Sequence, residues 1–181
     1  MDAAEELVDE RGFEALTLHG LAAALNVRPP SLYNHVAGLD GVREALHLRG
    51  LQGLQKAALS ATAGKMGQDG LIALATSARE YARSHPGLYA AAQPSTEASV
   101  GATPDLQLAG TEILATWTAV VGSFGLSGED VVHAVRAFRS ATHGFIQLEQ
   151  AGAFGMPVDA EESFRVLIWT LGQGFSVLAD E

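Results

Sequence analysis

Residues 17–36 read TLHGLAAALNVRPPSLYNHV, and the rest of the chain is best read outward from them. Thr17 is a good N-cap, because its hydroxyl can accept from a backbone N–H that the first helical turn leaves unpaired. It predicts a short helix over 18–25. The Pro29-Pro30 pair predicts a second start, since an N–H in the first turn has no intrahelical partner to lose. That helix is expected to run to about Val36. Asn26 sits between the two, where the chain often turns left-handed, a conformation Asn tolerates better than most residues. Leu21, Leu25, Val27, Leu32 and Val36 are spaced to fill the angle between two short helices crossing steeply, with small Ala22 at the closest approach. Ser31, Tyr33, Asn34 and His35 then face outward, and all four can hydrogen-bond to phosphates or base edges. The pattern is that of a helix-turn-helix. A generic helical hairpin with a polar outer face fits the same spacing.

Charge points the same way locally and the opposite way globally. The 181-residue chain carries a net charge of −10, which for the whole molecule disfavours a polyanionic partner. Yet residues 15–39 contain no acid and carry His19, Arg28 and His35. An acid-free window in an acidic chain is a candidate anion-facing surface. A window that is merely apolar and partly buried would look alike.

Helical spacing continues on both sides, and Val and Ile nowhere alternate with polar residues over a useful length. The sequence predicts nine helices. The first covers 2–12, with Leu7 and Val8 inward and Gly12 as its stop. After the central pair come a long helix over about 40–63, one over 69–84 ended by His85-Pro86, and a short one over 86–92. A Pro-, Ser-, Thr- and Gly-rich loop is expected at 93–103. The last three helices are expected over 104–124, from a Ser127 cap to about Gly152, and over 159–179 with Glu162 placed as in a capping box.

Here the chain resembles a known family. AAEELV, RGFEALTL, GLAAALNV and RPPSLYNHV, in that order over residues 3–46, resemble the N-terminal domain of TetR/AcrR-type transcriptional regulators. HGFIQLEQAGAFG at 143–155 and ESFRVLI at 162–168 resemble the WHG-type TetR C-terminal domain, named for a Trp and a His-Gly pair. The resemblance implies an all-α chain. A three-helix DNA-binding domain at 1–46 is joined by a long helix to a ligand-binding and dimerisation domain at 47–181. It implies a homodimer whose recognition helices enter successive major grooves of operator DNA, and a repressor released by a small molecule in the body. Thr17 and Tyr33 fall where family members contact phosphate. Pro29, Ser31, Asn34 and His35 fall on the groove-facing stretch, and His19 and Arg28 complete the DNA-binding set. The chain departs from the family pattern at His19, where Arg is frequent, and at Ala37-Gly38-Leu39, where Lys is common. It also opens at Met1-Asp2, where a basic arm is usual, and has Phe138-Arg139 where the subgroup's Trp is expected. With so few cations, a shallow salt dependence of DNA binding is expected.

The body supplies two further sets of candidates. Tyr81, Tyr89, Trp117 and His143 combine apolar bulk with a polar tip, and no charge occurs from Ile113 to Leu126. They are the candidates for a small apolar or aromatic effector. Taken alone, His143 reads more readily as a buried, hydrogen-bonded structural histidine than as a ligand contact. On the last two helices Phe138 and Phe145 belong to one stripe, and Phe164, Ile168, Leu171 and Phe175 to another. Such stripes pack either on their own body or on a second copy, and these six residues are the candidates for a dimer interface.

Other classes find less support. There is no cysteine, hence no disulfide, thiolate metal site or cysteine nucleophile, and a cytoplasmic location is expected. No signal peptide or membrane span is visible. HExxH, G-x-S-x-G and phosphate-loop patterns are absent. His133 and His143 would lie roughly 15 Å apart on one helix, which suits no metal site. Neither an enzyme, a metal nor a cofactor is expected. A helical interaction module that never meets DNA is the remaining rival.

Overall fold

The structure, a computed structural model, describes residues 1–93 and 103–180. Among these, helices account for all the regular structure: α1 (Asp2–Arg11), α2 (Leu18–Ala24), α3 (Pro29–Leu32), α4 (Gly38–Thr62), α5 (Gly67–Ser84), α6 (Pro86–Ala91), α7 (Pro104–Gly122), α8 (Gly128–Gln150) and α9 (Ala160–Ala179). A single 3-10 turn at Phe13–Ala15 was not expected. The anticipated loop at 93–103 falls, apart from its two end residues, outside the described residues. No described helix is long and apolar enough to cross a membrane.

The chain divides into two compact units. Met1–Gln55 with Tyr81–Thr111 form the first, and Lys56–Glu80 with Glu112–Glu181 the second.

The first unit holds the helix-turn-helix stretch. α1 stops at Gly12, whose φ of 87° is open to glycine at little cost. Its Ala4, Leu7 and Val8 join Leu16, Leu21, Ala22, Leu32, Val42, Leu46, Leu88 and Ala91 in one core. The α1–α6 contact is backbone to backbone. A Cβ at Gly87 would run into the carbonyl of Val8 and stand 2.7 Å from the amide nitrogen of Asp9. The Asp9 carboxylate seals the contact by accepting from the N–H groups of Gly87 (2.8 Å) and Leu88 (3.2 Å), which start α6. Those donors have no partner within their own helix.

The second unit packs Leu71, Leu74, Val121, Phe138, Phe164, Ile168 and Phe175 in its core. Arg79, with a side chain only 3% exposed, is buried among them. Its guanidinium donates to Glu149 through two bonds of 3.0 and 2.6 Å and to Glu161 through one of 2.8 Å. It also lies over the rings of Phe164 (4.6 Å) and Phe145 (5.4 Å). α5, α8 and α9 are thus tied by one charge.

Three local expectations need correction. Ser127 occupies the N-cap of α8 but makes no side-chain cap bond. At α9 it is Asp159 that caps, accepting from the N–H of Glu161, while Glu162 takes two bonds from Arg165 one turn on. α3 ends at Leu32 rather than near Val36. Beyond it the N–H groups of His35 and Val36 both bond to the single carbonyl of Leu32, so the chain goes on as turns rather than as regular helix.

Candidate nucleic-acid interface

The outward face of the helix-turn-helix follows from how its inner face is anchored. Thr17 caps α2, its hydroxyl accepting from the N–H of Gly20 at 3.0 Å. Asn26 makes the turn at φ 52°, the one non-glycine residue with positive φ among those described. Val27 N–H then bonds back to Ala22 C=O at 2.9 Å, closing the angle between α2 and α3. Leu21 and Leu32 are buried and Val36 half-buried, as the spacing implied. Leu25 and Val27 are not: 46% and 43% of their surface is exposed. Leu25 is the C-cap of α2, where the chain leaves helical direction. Leu16, Val42 and Leu46 share the core with Leu21 and Leu32.

Burial of Leu21 and Leu32 fixes the roll of both helices. Thr17, His19, Arg28, Ser31, Tyr33, Asn34 and His35 are all exposed, Tyr33 at 63%, and Pro29 is half-buried. The stretch 33–36 continues as turns, its His35 and Val36 N–H groups bonded to the carbonyl of Leu32 at 2.8 and 3.0 Å. Seven hydrogen-bonding side chains therefore stand free of the core on an acid-free segment. Three of the acids of α1, Asp2, Glu5 and Asp9, are engaged elsewhere. Arg49 donates to Asp2 (2.6 Å) and Glu5 (2.7 Å), keeping the Asp2 carboxyl below its usual range through that bond and the guanidinium charge. Asp9 serves α6. Glu5, Asp9 and His85 do bring three ligand-type atoms within 4.8 Å of one another. Arg49 already holds Glu5, and Asp9 carries two backbone N–H groups with the His85 ring nitrogen at 3.3 Å, so this group serves to dock helices.

The effector candidates divide between the units. Tyr81 and Tyr89 lie in the first, Trp117 and His143 in the second. Tyr89 is buried. Tyr81 rests on the first unit's core, against Gly53, with its hydroxyl buried and lacking a hydrogen-bond partner. Burial, helped by the charges of Glu5 and Asp9, pushes that hydroxyl up to about 12. Trp117 stands edge-on to Phe138 at 6.4 Å, beneath the guanidinium of Arg139 at 5.6 Å. His143 is half-buried, and burial with the charge of Arg139 lowers its affinity for a proton. A surface groove of about 450 Å³ on α4 and α5, bounded by Lys65, Asp69, Ile72 and Glu80 among others, includes none of the four.

The residues chosen for the dimer interface pack on their own chain. Phe138, Phe164, Ile168 and Phe175 are buried in the second unit's core, and Phe145 and Leu171 lean against it. The same two helices have a different exposed apolar set, with Val166, Trp169 and Val177 on α9 and Val132 and Leu148 on α8. Residues 166, 169, 173 and 177 repeat at helical spacing and share a face of α9. In the sequence Trp169 does not stand apart, because a stripe that faces the body and one that faces a partner are both merely apolar.

Comparison with known proteins gives the fold and the segment a context. Residues 1–37 match the family model described as bacterial regulatory proteins, tetR family. Residues 71–171, which include His143-Gly144, match the model of a tetracyclin repressor-like C-terminal domain. The uncharacterized HTH-type transcriptional regulator Rv0681 of Mycobacterium tuberculosis is 33% identical over 96% of this chain and 78% of its own length. A second HTH-type regulator, YobS of Bacillus subtilis, is 32% identical over 98% of this chain and 91% of its own. Among solved structures, a protein of unknown function from Rhodococcus sp. RHA1 superposes with TM-score 0.76 at 20% identity, covering 96% of this chain and 91% of that one. A TetR variant from Acinetobacter baumannii AYE in complex with minocycline gives TM-score 0.69 at 24% identity, over 98% and 94%.

Proposed function

Because the chain belongs to the TetR family of bacterial transcriptional regulators, we propose that it is a repressor that grips operator DNA with residues 1–46. It lets go when a small apolar or aromatic molecule occupies the body at 47–181. The observation that carries the reading is the sidedness of the helix-turn-helix, with Leu21 and Leu32 buried and seven hydrogen-bonding side chains exposed on an acid-free segment. On this reading Thr17, His19, Arg28 and Tyr33 hold phosphates and set the register, while Ser31, Asn34 and His35 reach base edges. Within the second unit, the half-buried His143 is a polar tip that an otherwise apolar effector would use, alongside Trp117. A structural neighbour was solved in complex with a small molecule, minocycline. The test is selection of duplexes from a random pool, then titration of the winner and a scrambled control at several salt concentrations. Selective binding with a shallow salt slope is expected, since Arg28 is the one permanent cation in residues 15–39. Equal affinity for both duplexes would refute the reading.

A second copy is the partner. Val166, Trp169 and Val177 on α9 and Val132 on α8 are large apolar side chains left in water by the single chain. Paired with their symmetry mates they would bury in a four-helix interface. Trp169→Glu, at a position already 50% exposed, should leave the chain folded. Light scattering should show a mass of twice 18.9 kDa for the parent and 18.9 kDa for the variant. A parent monomer at micromolar concentration, or a variant still dimeric, would remove α9 from the interface.

A further inference from the structure

The reading head exposes apolar side chains among its polar ones. Between Asn26 and Tyr33 only Arg28 and Ser31 carry side-chain hydrogen-bonding groups. Val27, which the pattern placed in the core, is exposed, and so is Pro30. Pro29 and Pro30 occupy the first positions of α3, so the entering end of that helix lacks two N–H donors and offers ring carbons instead. Val27 and Pro30 lie three residues apart across the Arg28 N-cap, and Arg28 and Ser31 on either side of Pro30 are exposed polar groups of the same head. In the major groove, base edges present hydrogen-bond donors, acceptors and one apolar group, the C5-methyl of thymine. An exposed valine and proline at the entrance of a recognition helix are suited to pack on that methyl.

The geometry points to thymine methyl recognition: Val27 and Pro30 read thymine by burying its C5-methyl, so each operator half-site carries a thymine opposite the turn and start of α3. This rests on the repressor reading above and adds the chemistry by which part of the sequence is chosen. Water leaves both the methyl and the side chain on contact, so the gain is hydrophobic and insensitive to salt. It thereby makes up in selectivity for a head that is poor in cations.

The experiment uses the whole chain and a duplex chosen from a random pool. Each thymine is replaced singly by deoxyuridine, which removes only the methyl and keeps every hydrogen bond. Loss of one buried methyl should weaken binding about three- to fivefold at the thymines facing residues 27–30, and leave the others unchanged. Val27→Ala should weaken the thymine duplex by a similar factor and make it indifferent to deoxyuridine at that site. Because the change in the DNA leaves the protein intact, a variant that folds poorly does not blur the answer. Selective binding with no loss at any deoxyuridine position would overturn thymine recognition while sparing the repressor reading. Failure to select any sequence would overturn the repressor reading itself, and the proposal with it.

Discussion

Gly87→Ala is expected to lower stability by about 3 kcal/mol, the upper part of the range for forcing a methyl into a packed site. The added Cβ meets the Val8 carbonyl and the Asp9 amide nitrogen, which are backbone atoms in the C-terminal half of α1 rather than the tips of movable side chains. To make room, α6 would have to withdraw from α1. Withdrawal also breaks the two bonds from Gly87 and Leu88 N–H to the Asp9 carboxylate. The same change at Gly110 has open space around it, so Gly110→Ala in helical α7 should be neutral or stabilising by up to about 1 kcal/mol. Urea unfolding of both variants decides. Equal midpoints would mean that α1 and α6 are not held at this distance. The loss matters for function because α1 supplies the floor of the helix-turn-helix: Leu7 and Val8 share a core with Leu21 and Leu32.

Arg79→Ala should cost the second unit a similar amount, about 3 kcal/mol, at the low end of what breaking a buried ion pair costs. The two partners should not contribute equally. Glu161 is 65% exposed, and a bridge in water is worth well under 1 kcal/mol. Glu149 is 20% exposed and grips the guanidinium through two parallel bonds. Glu161→Gln should therefore shift the thermal midpoint little, and Glu149→Gln clearly more. Arg79→Lys should fall between, since an ammonium keeps the charge but loses the two-pronged fit and the stacking over Phe164. If Arg79→Ala unfolds at the parent's temperature, the buried guanidinium is a passenger rather than a clasp.

These two sites mark where sequence reading ran out. Thr17, Gly12 and Asn26 were legible because each acts on backbone within four residues of itself, through a cap bond or a positive φ. Helix spans were legible for the same reason, since periodicity and punctuation are local. Arg79 has partners 70 and 82 residues away, and Asp9 reaches donors 78 and 79 residues on. Neither pairing leaves a local trace. The six residues assigned to the dimer interface show a subtler limit. Periodicity identified Phe138, Phe164, Ile168 and Phe175 as apolar and inward, yet it does not say which neighbour lies inward. The structure places the chain's own helices there. Leu25 and Val27 failed in the opposite sense. They fit the spacing of a helix-turn-helix core, but Leu25 falls at the cap where α2 ends and Val27 in the turn beyond. The head's polar face was legible throughout, because burial of Leu21 and Leu32 leaves Ser31, Tyr33, Asn34 and His35 nowhere to point but outward.

The central claim is that residues 29–35 read DNA, and the most direct measurement is an equilibrium titration of parent, Tyr33→Phe and Asn34→Ala on operator and scrambled duplexes. Tyr33→Phe removes a phosphate contact, which carries no sequence information, so it should weaken both duplexes by about the same factor. Asn34→Ala removes a side chain able to pair with adenine through two hydrogen bonds, worth roughly 1–3 kcal/mol of discrimination. It should bring operator and scrambled affinities together by about fivefold or more while leaving the weaker of the two nearly unchanged. Operator affinity unaltered in both variants would contradict the account, and would mean that this exposed face is not the surface that meets DNA.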